Sequence, residues 1–530
     1  MAESPLAPDP SALPSEETAG GIAQAAGLVA AGNMSSRVLG LLREAISASL
    51  FGATGLVSAF GAANIIPRQL YDLLIGGMLN SALVPVFSEY AAVRRREELW
   101  HLFSILLTLT TVALLGTVLL LEALSRPLTW LIAGGFPPEI QEATLSLVRI
   151  MLPSVLFLNL AGLATALLYA QRRFLYPALS VAIYNAGIIA AMLLLPAQLG
   201  IYRLGWGVVG GALLQLIVQL PGLRDVRLRL TLDLRHPALR RILALYSPIV
   251  LGLVVSLVQV TIDRRLASGT GPSSIAWMDK ATMLVQSAHG LVAVAISTAV
   301  LPALARASAQ RQWEGYRRTL GASLRLSLIL IIPLAVALWL LATPLIQLLF
   351  QRGEFTAADT LWTSRALQLY LLGLIFATID WPLNYGFYAR QDTLTPALVG
   401  VFSVGVYLAI AFALRRPLGM LGLVLADSGK HLGHALVMLA LTHRRVDGLR
   451  GQALWQTALK SSLAAAIMAL VMAAVLAGVG RVAGTGWPGL LIRVALAGGA
   501  GAATYAVLAL ALRLNEARLL WDTMRARFRR

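Results

Sequence analysis

Apolar runs of about 20 residues recur from one end of this chain to the other, and no polar stretch between them is long enough to form a soluble catalytic domain. A helix rises about 1.5 Å per residue, so each run is able to cross a hydrocarbon layer of roughly 30 Å. Inside such a layer every backbone N–H and C=O must be satisfied by the protein itself, which leaves helices or a closed barrel. A barrel would show short alternating segments, whereas these runs are long and continuously apolar. The chain reads as an all-α polytopic membrane protein. A hydrophobic content of 58% with only 13% charged residues, and a mean hydropathy of +0.75, lie far from the balance of a soluble domain.

The runs lie near 25–50, 55–88, 101–124, 143–170, 177–197, 204–222, 242–262, 275–304, 322–349, 361–388, 395–414, 418–442, 457–479 and 487–512, which predicts about 14 transmembrane helices. The second is broken near Pro67. The opening "MAESPLAPDPSALPSEETAGG" is acidic and Pro-rich and has no Lys or Arg. It lacks the basic start of a cleavable signal peptide and is expected to be a disordered cytoplasmic tail. Cysteine is absent, which excludes disulfide and thiol chemistry.

A net charge of +18 would suit nucleic acid, but the positions of the cations decide otherwise. With the N-terminus in the cytoplasm, "VRRREE" (93–98), "QRR" (171–173), "RDVRLRLTLDLRHPALRR" (224–241), "RASAQRQWEGYRR" (306–318), "HRRVDGLR" (443–450) and "MRARFRR" (524–530) all fall on one side. The opposite loops, such as "GATG" (52–55), "SGTGPSS" (268–274) and "GTGWPG" (484–489), are nearly free of cations. This is the positive-inside pattern, with Arg415 and Arg416 its exception. The basic excess orients the protein and meets anionic membrane lipids, with no nucleic acid as partner.

Two segment pairs resemble each other. "SALVPVFSEY" (81–90) matches "STAVLPALARAS" (297–308), and Pro85 to Pro302 is 302 − 85 = 217. "YAQRRFLYPAL" (169–179) matches "YARQDTLTPAL" (388–398), and Pro177 to Pro396 is 396 − 177 = 219. Two matches in the same order at nearly one offset point to a duplicated six-span unit. An even span count keeps both copies in one orientation, so two six-helix lobes are expected about a pseudo-two-fold axis along the membrane normal, with two extra C-terminal helices. The expected organisation is a tail at 1–24, an N-lobe at 25–222, a basic cytoplasmic linker at 223–241, a C-lobe at 242–442, spans 13 and 14 at 443–512, and a basic cytoplasmic tail at 513–530. A cavity between the lobes, opening to one side at a time, is the mechanism such a duplication supports.

Charges inside the runs mark the candidate site. Arg37 sits near the middle of the first run, where a charge costs at least ~2.5 kcal/mol and faces protein or a wet cavity. Glu44 is seven positions on and shares its face, while Arg43 points about 120° away. An Arg37–Glu44 packing pair is one reading; an anion site facing a cavity is the other, and it also accounts for the second arginine. The guanidinium fork suits phosphate. In the second run Arg68 and Asp72 are spaced to pair or to line a cavity beside Pro67, Gly76 and Gly77. Arg264 and Arg265 read as interfacial anchors, and Asp279 and Lys280 stand on different faces of the eighth run. In the twelfth, Asp427, Lys430, His431 and His434 form one polar stripe. An Asp–Lys pair in a buried seam is the plain reading, and proton or cation coupling the sharper one; a central lysine argues against a metal site. No phosphate-loop, HExxH or nucleophile-elbow pattern appears, so no enzyme and no cofactor are expected.

"SRVLGLLREAISASLFGA" followed by "ALVPVFSEY", then "LPALARAS", "LLFQRGEFTAADTLWTSRAL" (348–367) and "GFYARQDTLTPAL" (386–398), resemble the MurJ/MviN family of lipid II flippases within the multidrug/oligosaccharidyl-lipid/polysaccharide exporter superfamily. The likeness runs through about 25–442, and the extra spans 13 and 14 are also in keeping with it. The resemblance implies a bacterial inner-membrane flippase carrying undecaprenyl-pyrophosphate-linked peptidoglycan precursor (lipid II) to the outer leaflet, with a coupling ion or the membrane potential behind it. It carries a substrate role over to Arg37 and Arg43, with Arg68 and Lys280 as further substrate-binding candidates. Glu44, Asp72, Asp279, Asp427 and Lys430 are the cavity or coupling candidates. The chain departs from the family pattern at Ser58, where many relatives are acidic, and in placing Asp279-Lys280 one turn earlier than the family's charged pair. Alternatives are export of another polyprenyl-linked saccharide or of a small cation, or a non-transporting membrane scaffold.

Overall fold

The computed structural model describes residues 16–92, 96–445, 449, 451–482, 484, 486–514, 516–518 and 525. Residues 1–15 of the expected tail, 93–95 of the first basic run, 446–448 and 450 of the "HRRVDGLR" segment and most of the basic C-terminal tail lie outside the described residues.

Eighteen α-helices follow one another, and no strand occurs among the described residues. The first half holds α1 (Glu16–Phe51), α2 (Gly55–Tyr71), α3 (Val84–Ala92), α4 (Arg96–Ala123), α5 (Ser125–Ala133), α6 (Pro138–Met151), α7 (Pro153–Ala170), α8 (Leu175–Leu194) and α9 (Tyr202–Ile217). The second half holds α10 (Pro237–Ser268), α11 (Ser274–His289), α12 (Ala295–Ala309), α13 (Trp313–Phe350), α14 (Ala357–Ala389), α15 (Leu394–Leu418) and α16 (Met420–Arg445). Then come α17 (Leu454–Val482) and α18 (Trp487–Ala511). α1 starts at Glu16, earlier than the tail reading at 1–24 expected, because alanines at 19, 23, 25 and 26 are strong helix formers that extend it.

Each predicted run is occupied by helix, and ten helical segments are long and apolar enough to cross a membrane, or up to eleven if the bent α10 is one span. α1, the broken α2–α3 segment and α16, each of which carries charged residues, fall short.

Duplication is written into the backbone. A π turn at Asp72–Gly76 recurs at Gly290–Val294, and 290 − 72 = 218. Gly200 (φ 50°) and Gly419 (φ 57°) end equivalent segments, and 419 − 200 = 219. Both combine positive φ with ψ near −130°, a conformation essentially reserved for glycine. Arg172 (φ 59°) and Gln391 (φ 61°) are likewise 391 − 172 = 219 apart. Short repeats of sequence therefore coincide with repeats of unusual dihedrals.

Two compact units form. Unit one comprises Met1–Ile46, Ala63–Leu128 and Leu145–Val254. Its core joins Ile75, Phe87, Trp100, Phe103, Leu163 and Ile242, with Phe87 and Phe103 edge to face at 6.2 Å. Tyr246 donates its hydroxyl to the Leu73 carbonyl, tying α10 to the π turn, where backbone pairing is irregular.

Unit two comprises Ser47–Ala62, Thr129–Thr144 and Val255–Arg530. It thus takes the end of α1, the start of α2 and the α5–α6 connection from the first half. Small residues permit this. The Glu354 amide donates to the Ser49 carbonyl at 3.0 Å, and the Ala276 amide donates to Ser58 Oγ at 3.1 Å. A Cβ on Gly135 would run into the backbone of Ser268 and Gly269. α18 docks on α13 through Tyr505, which donates to the Ile329 carbonyl at 2.8 Å and lies 2.6 Å from Ser461 of α17.

Candidate functional site

In unit one, α1 approaches α8 closely because Gly32 has no side chain: a Cβ there would overlap Ala178. One face of α1 then meets Asn185. Its amide is fixed by donating to the Val181 carbonyl at 3.1 Å, and its Oδ1 accepts from Arg43 Nη1 at 3.0 Å. Arg43 Nη2 reaches Glu44 at 2.7 Å, so among the described residues of α1 Glu44 pairs with Arg43 and not with Arg37, the partner that helical spacing suggested. Two adjacent long side chains can curl toward each other, which a Cα wheel does not capture. Asn185, on α8, was not anticipated; a polar residue in an apolar run was its only signal.

Tyr184, next to Asn185, lies within electrostatic range of both Arg43 and Arg68, so α1, α2 and α8 bring these two arginines to one neighbourhood. Arg37 and Arg68 are exposed, and among the described residues neither makes an ion pair. Asp72, one turn beyond Arg68, opens the π turn, and its carbonyl accepts from the Gly77 amide. Unit one thus presents three guanidiniums on two helices, one of them held in a fixed orientation.

In unit two a longer polar seam runs through α10, α11, α14, α15 and α16. Arg264 is largely buried and pairs with Asp279 at 2.7 Å, which replaces the interfacial anchor reading for that residue. Arg265 does lie at an aromatic, 5.2 Å from the Trp130 ring centre. Asp263 accepts from the Tyr407 hydroxyl, and Asp427 pairs with Lys430 at 2.6 Å, the Asp–Lys pair expected of the stripe, here half-buried. Lys280 is buried with its ammonium 5.4 Å from the Phe350 ring centre. Ser58, where many relatives are acidic, is fully buried and serves as a backbone acceptor.

At the helix ends, Arg173 grips Asp225 with two bonds of 2.6 and 2.7 Å. The Arg173 hydrogen bonds hold the Asp225 carboxyl below the usual carboxylate range, against the opposing effect of burial. In the second half Asp392 plays the matching part: it caps Thr395 and accepts from Arg445 at 2.7 Å.

Residues 47–495 match the protein family described as Lipid II flippase MurJ. The chain belongs to this family. A curated relative, the lipid II flippase MurJ of Burkholderia cenocepacia, is 31% identical over 422 residues, covering 78% of this chain and 82% of the relative. A solved structure of lipid II flippase MurJ in an inward closed conformation superposes with a TM-score of 0.77 at 25% identity, covering 92% of this chain and 99% of the other. A multidrug resistance MATE family transporter of the MOP superfamily, in its inward-facing conformation, shares the fold at 15% identity with a TM-score of 0.65, covering 79% and 96%. As a family member with ten or eleven apolar helices, the chain is a multi-pass membrane protein, and in a bacterium its membrane is the inner one.

Proposed function

We propose that this chain translocates lipid II from the inner to the outer leaflet by alternating access, with the unit-one arginines receiving the pyrophosphate. The observation that carries the reading is Arg43, oriented by Asn185 and Glu44, near Arg68 and on the same helix as exposed Arg37. The pyrophosphate is the part of a polyprenyl-linked substrate hardest to move through hydrocarbon, because ionic charge loses its hydration there. Guanidiniums replace that hydration with paired, charge-assisted hydrogen bonds. A cationic drug would meet repulsion at the same place. Lys280, the other candidate for the substrate, is buried beside the Phe350 ring. The N-terminus and the basic loops face the cytoplasm, following the cation asymmetry, so substrate enters from the leaflet where it is made.

The test is lipid II translocation by the purified protein in liposomes. Arg43→Ala is expected to lower the rate by 10-fold or more. Asn185→Leu, which keeps the charge but frees the guanidinium, is expected to have a smaller effect in the same direction. Full activity in Arg37→Ala, Arg43→Ala and Arg68→Ala alike would overturn the assignment of these residues. Absence of lipid II transport, with another polyprenyl-linked saccharide carried instead, would overturn the substrate.

A further inference from the structure

Of the four aspartates in the unit-two seam, three have an obvious partner. Asp279 has Arg264, Asp427 has Lys430, and Asp263 has the Tyr407 hydroxyl. Asp380, in the middle of α14, has neither a cation nor a hydroxyl as partner among the described residues. It is 5% exposed, and its Oδ1 faces His434 Nδ1 of α16 at 3.1 Å. Both atoms are buried and neither has a hydrogen-bond partner among the described residues, so at this separation the two face each other without a formed hydrogen bond. The second carboxylate oxygen lies 3.9 Å from His431 Nδ1, and His431 Nε2 lies 3.8 Å from Asp427. A buried carboxylate whose only ionisable contacts are imidazoles is held by protons or not at all.

We propose that Asp380 and His434, with His431 beside them, form a proton-binding site whose loading and unloading couples proton movement to transport. This rests on the transporter reading above, because coupling has meaning only in a transport cycle. The loaded pair holds a carboxylate and an imidazolium and is neutral overall; release of one ring proton to water leaves a single negative charge. Asp263, Asp279, Asp380 and Asp427 face Arg264 and Lys430, and even with Lys280 counted the four carboxylates outnumber three cations. Histidine uptake of one proton balances the seam.

The remaining charged groups on the packed helices do not supply that balance. His289, at the end of α11, is near enough to feel Asp380 and His431, and stacks edge-on to Trp381 at 5.6 Å. On α14 itself, Arg365 lies against Trp362 and Arg390 against Trp313, each at least ten residues from Asp380. On α13, Arg325 is engaged by Glu516 and Gln452, and α12 carries Arg306 in its last turn. A resident metal is not favoured: among the described residues no three His, Cys, Asp or Glu converge as ligands.

The site is also placed to move something. Pro382 lies inside α14 two residues after Asp380, so the ladder lacks the bond from position 382 to the carbonyl of Thr378. Helices bend at such points. Attraction between α14 and α16 at one side of this break changes with each proton bound.

The first measurement needs no lipid substrate: ring-nitrogen NMR of the full chain in nanodiscs, followed from about pH 5 to about pH 9. The chain has only six histidines, and His434→Gln assigns its signal. The His434 signal is expected to titrate within this range, and Asp380→Asn to displace or abolish that titration while leaving His443 unaltered. Exchange of sodium for potassium is expected to change nothing. A silent His434 signal, a titration unmoved in Asp380→Asn, or a sodium-dependent displacement overturns the site. In lipid II liposomes at zero membrane potential, a pH gradient is expected to change the wild-type rate several-fold and to leave the Asp380→Asn and His434→Gln rates unaffected. A retained response in both variants overturns the coupling, whereas loss of all lipid II transport with an intact NMR titration overturns the substrate reading alone.

Discussion

At the scale of single residues, charge in this chain is tied down by specific partners whose identity depends on tertiary contact. The Arg173–Asp225 clasp shows how far this can be pushed energetically. Its carboxyl is held below the ordinary range, so its stabilisation is present above about pH 4 and is lost as pH falls through the lowered value. Both side chains are about two-fifths exposed, so solvent screening limits the contribution to less than about 1 kcal/mol. Asp225→Asn is expected to lower Tm slightly at neutral pH, with the two proteins converging below about pH 3. A constant difference across that range would mean that the clasp acts through packing and not through charge. The cations of the first run were legible in the sequence because a charge inside an apolar helix needs a reason. Their partners were not. Helical spacing favoured Arg37–Glu44, whereas Arg43 is the residue that reaches both Glu44 and Asn185. Asp380–His434 joins residues 54 positions apart, 434 − 380, on different helices, which no periodicity reveals. A carboxylate two residues before a proline in an apolar run was the available signal.

At the scale of elements, close approach is governed by residues without side chains. A Cβ on Gly61 would lie 2.5 Å from the Asp279 carboxylate, the group that pairs with Arg264. Gly61→Ala is expected to cost about 1–3 kcal/mol by overpacking, read as a lowered Tm. Gly116→Ala, where nothing lies within 4 Å, serves as the control and is expected to leave Tm unchanged or raised. Equal effects of the two would deny that the α2–α11 contact is tight. The Ser49–Glu354 backbone bond also joins the end of α1 to the loop before α14. Its 3.0 Å length is compatible with the Cα spacing a disulfide needs, about 4.4–6.8 Å. Ser49→Cys combined with Glu354→Cys, in a chain with no native cysteine, is expected to raise Tm when oxidised, because the bridge fixes a contact within unit two. An unchanged Tm in fully cross-linked protein would show that this contact does not limit stability. The duplication was legible from two short sequence pairs. The matching π turns and positive-φ residues were not, because no residue type demands a π turn, and Arg172 and Gln391 are not the residues expected at positive φ.

At the scale of the whole molecule, hydropathy alone established a polytopic helical protein, and the order of motifs pointed to the family that similarity then established. The count of apolar spans was harder to read, because the segments dedicated to charge are the least apolar. The same segments, α1, α2 and α16, carry Arg37, Arg43, Arg68 and the polar stripe from Asp427 to His434. The central claim is that this molecule moves lipid II and does so through the arginines of α1. The measurement that tests it most directly replaces the essential lipid II flippase of a bacterium with this chain and reads lipid II exposure on the outer leaflet. Rescue by the wild type, lost in well-expressed Arg37→Ala and Arg43→Ala variants, is the predicted result. Failure of a well-inserted wild type to expose lipid II, or full rescue by both variants, would contradict it.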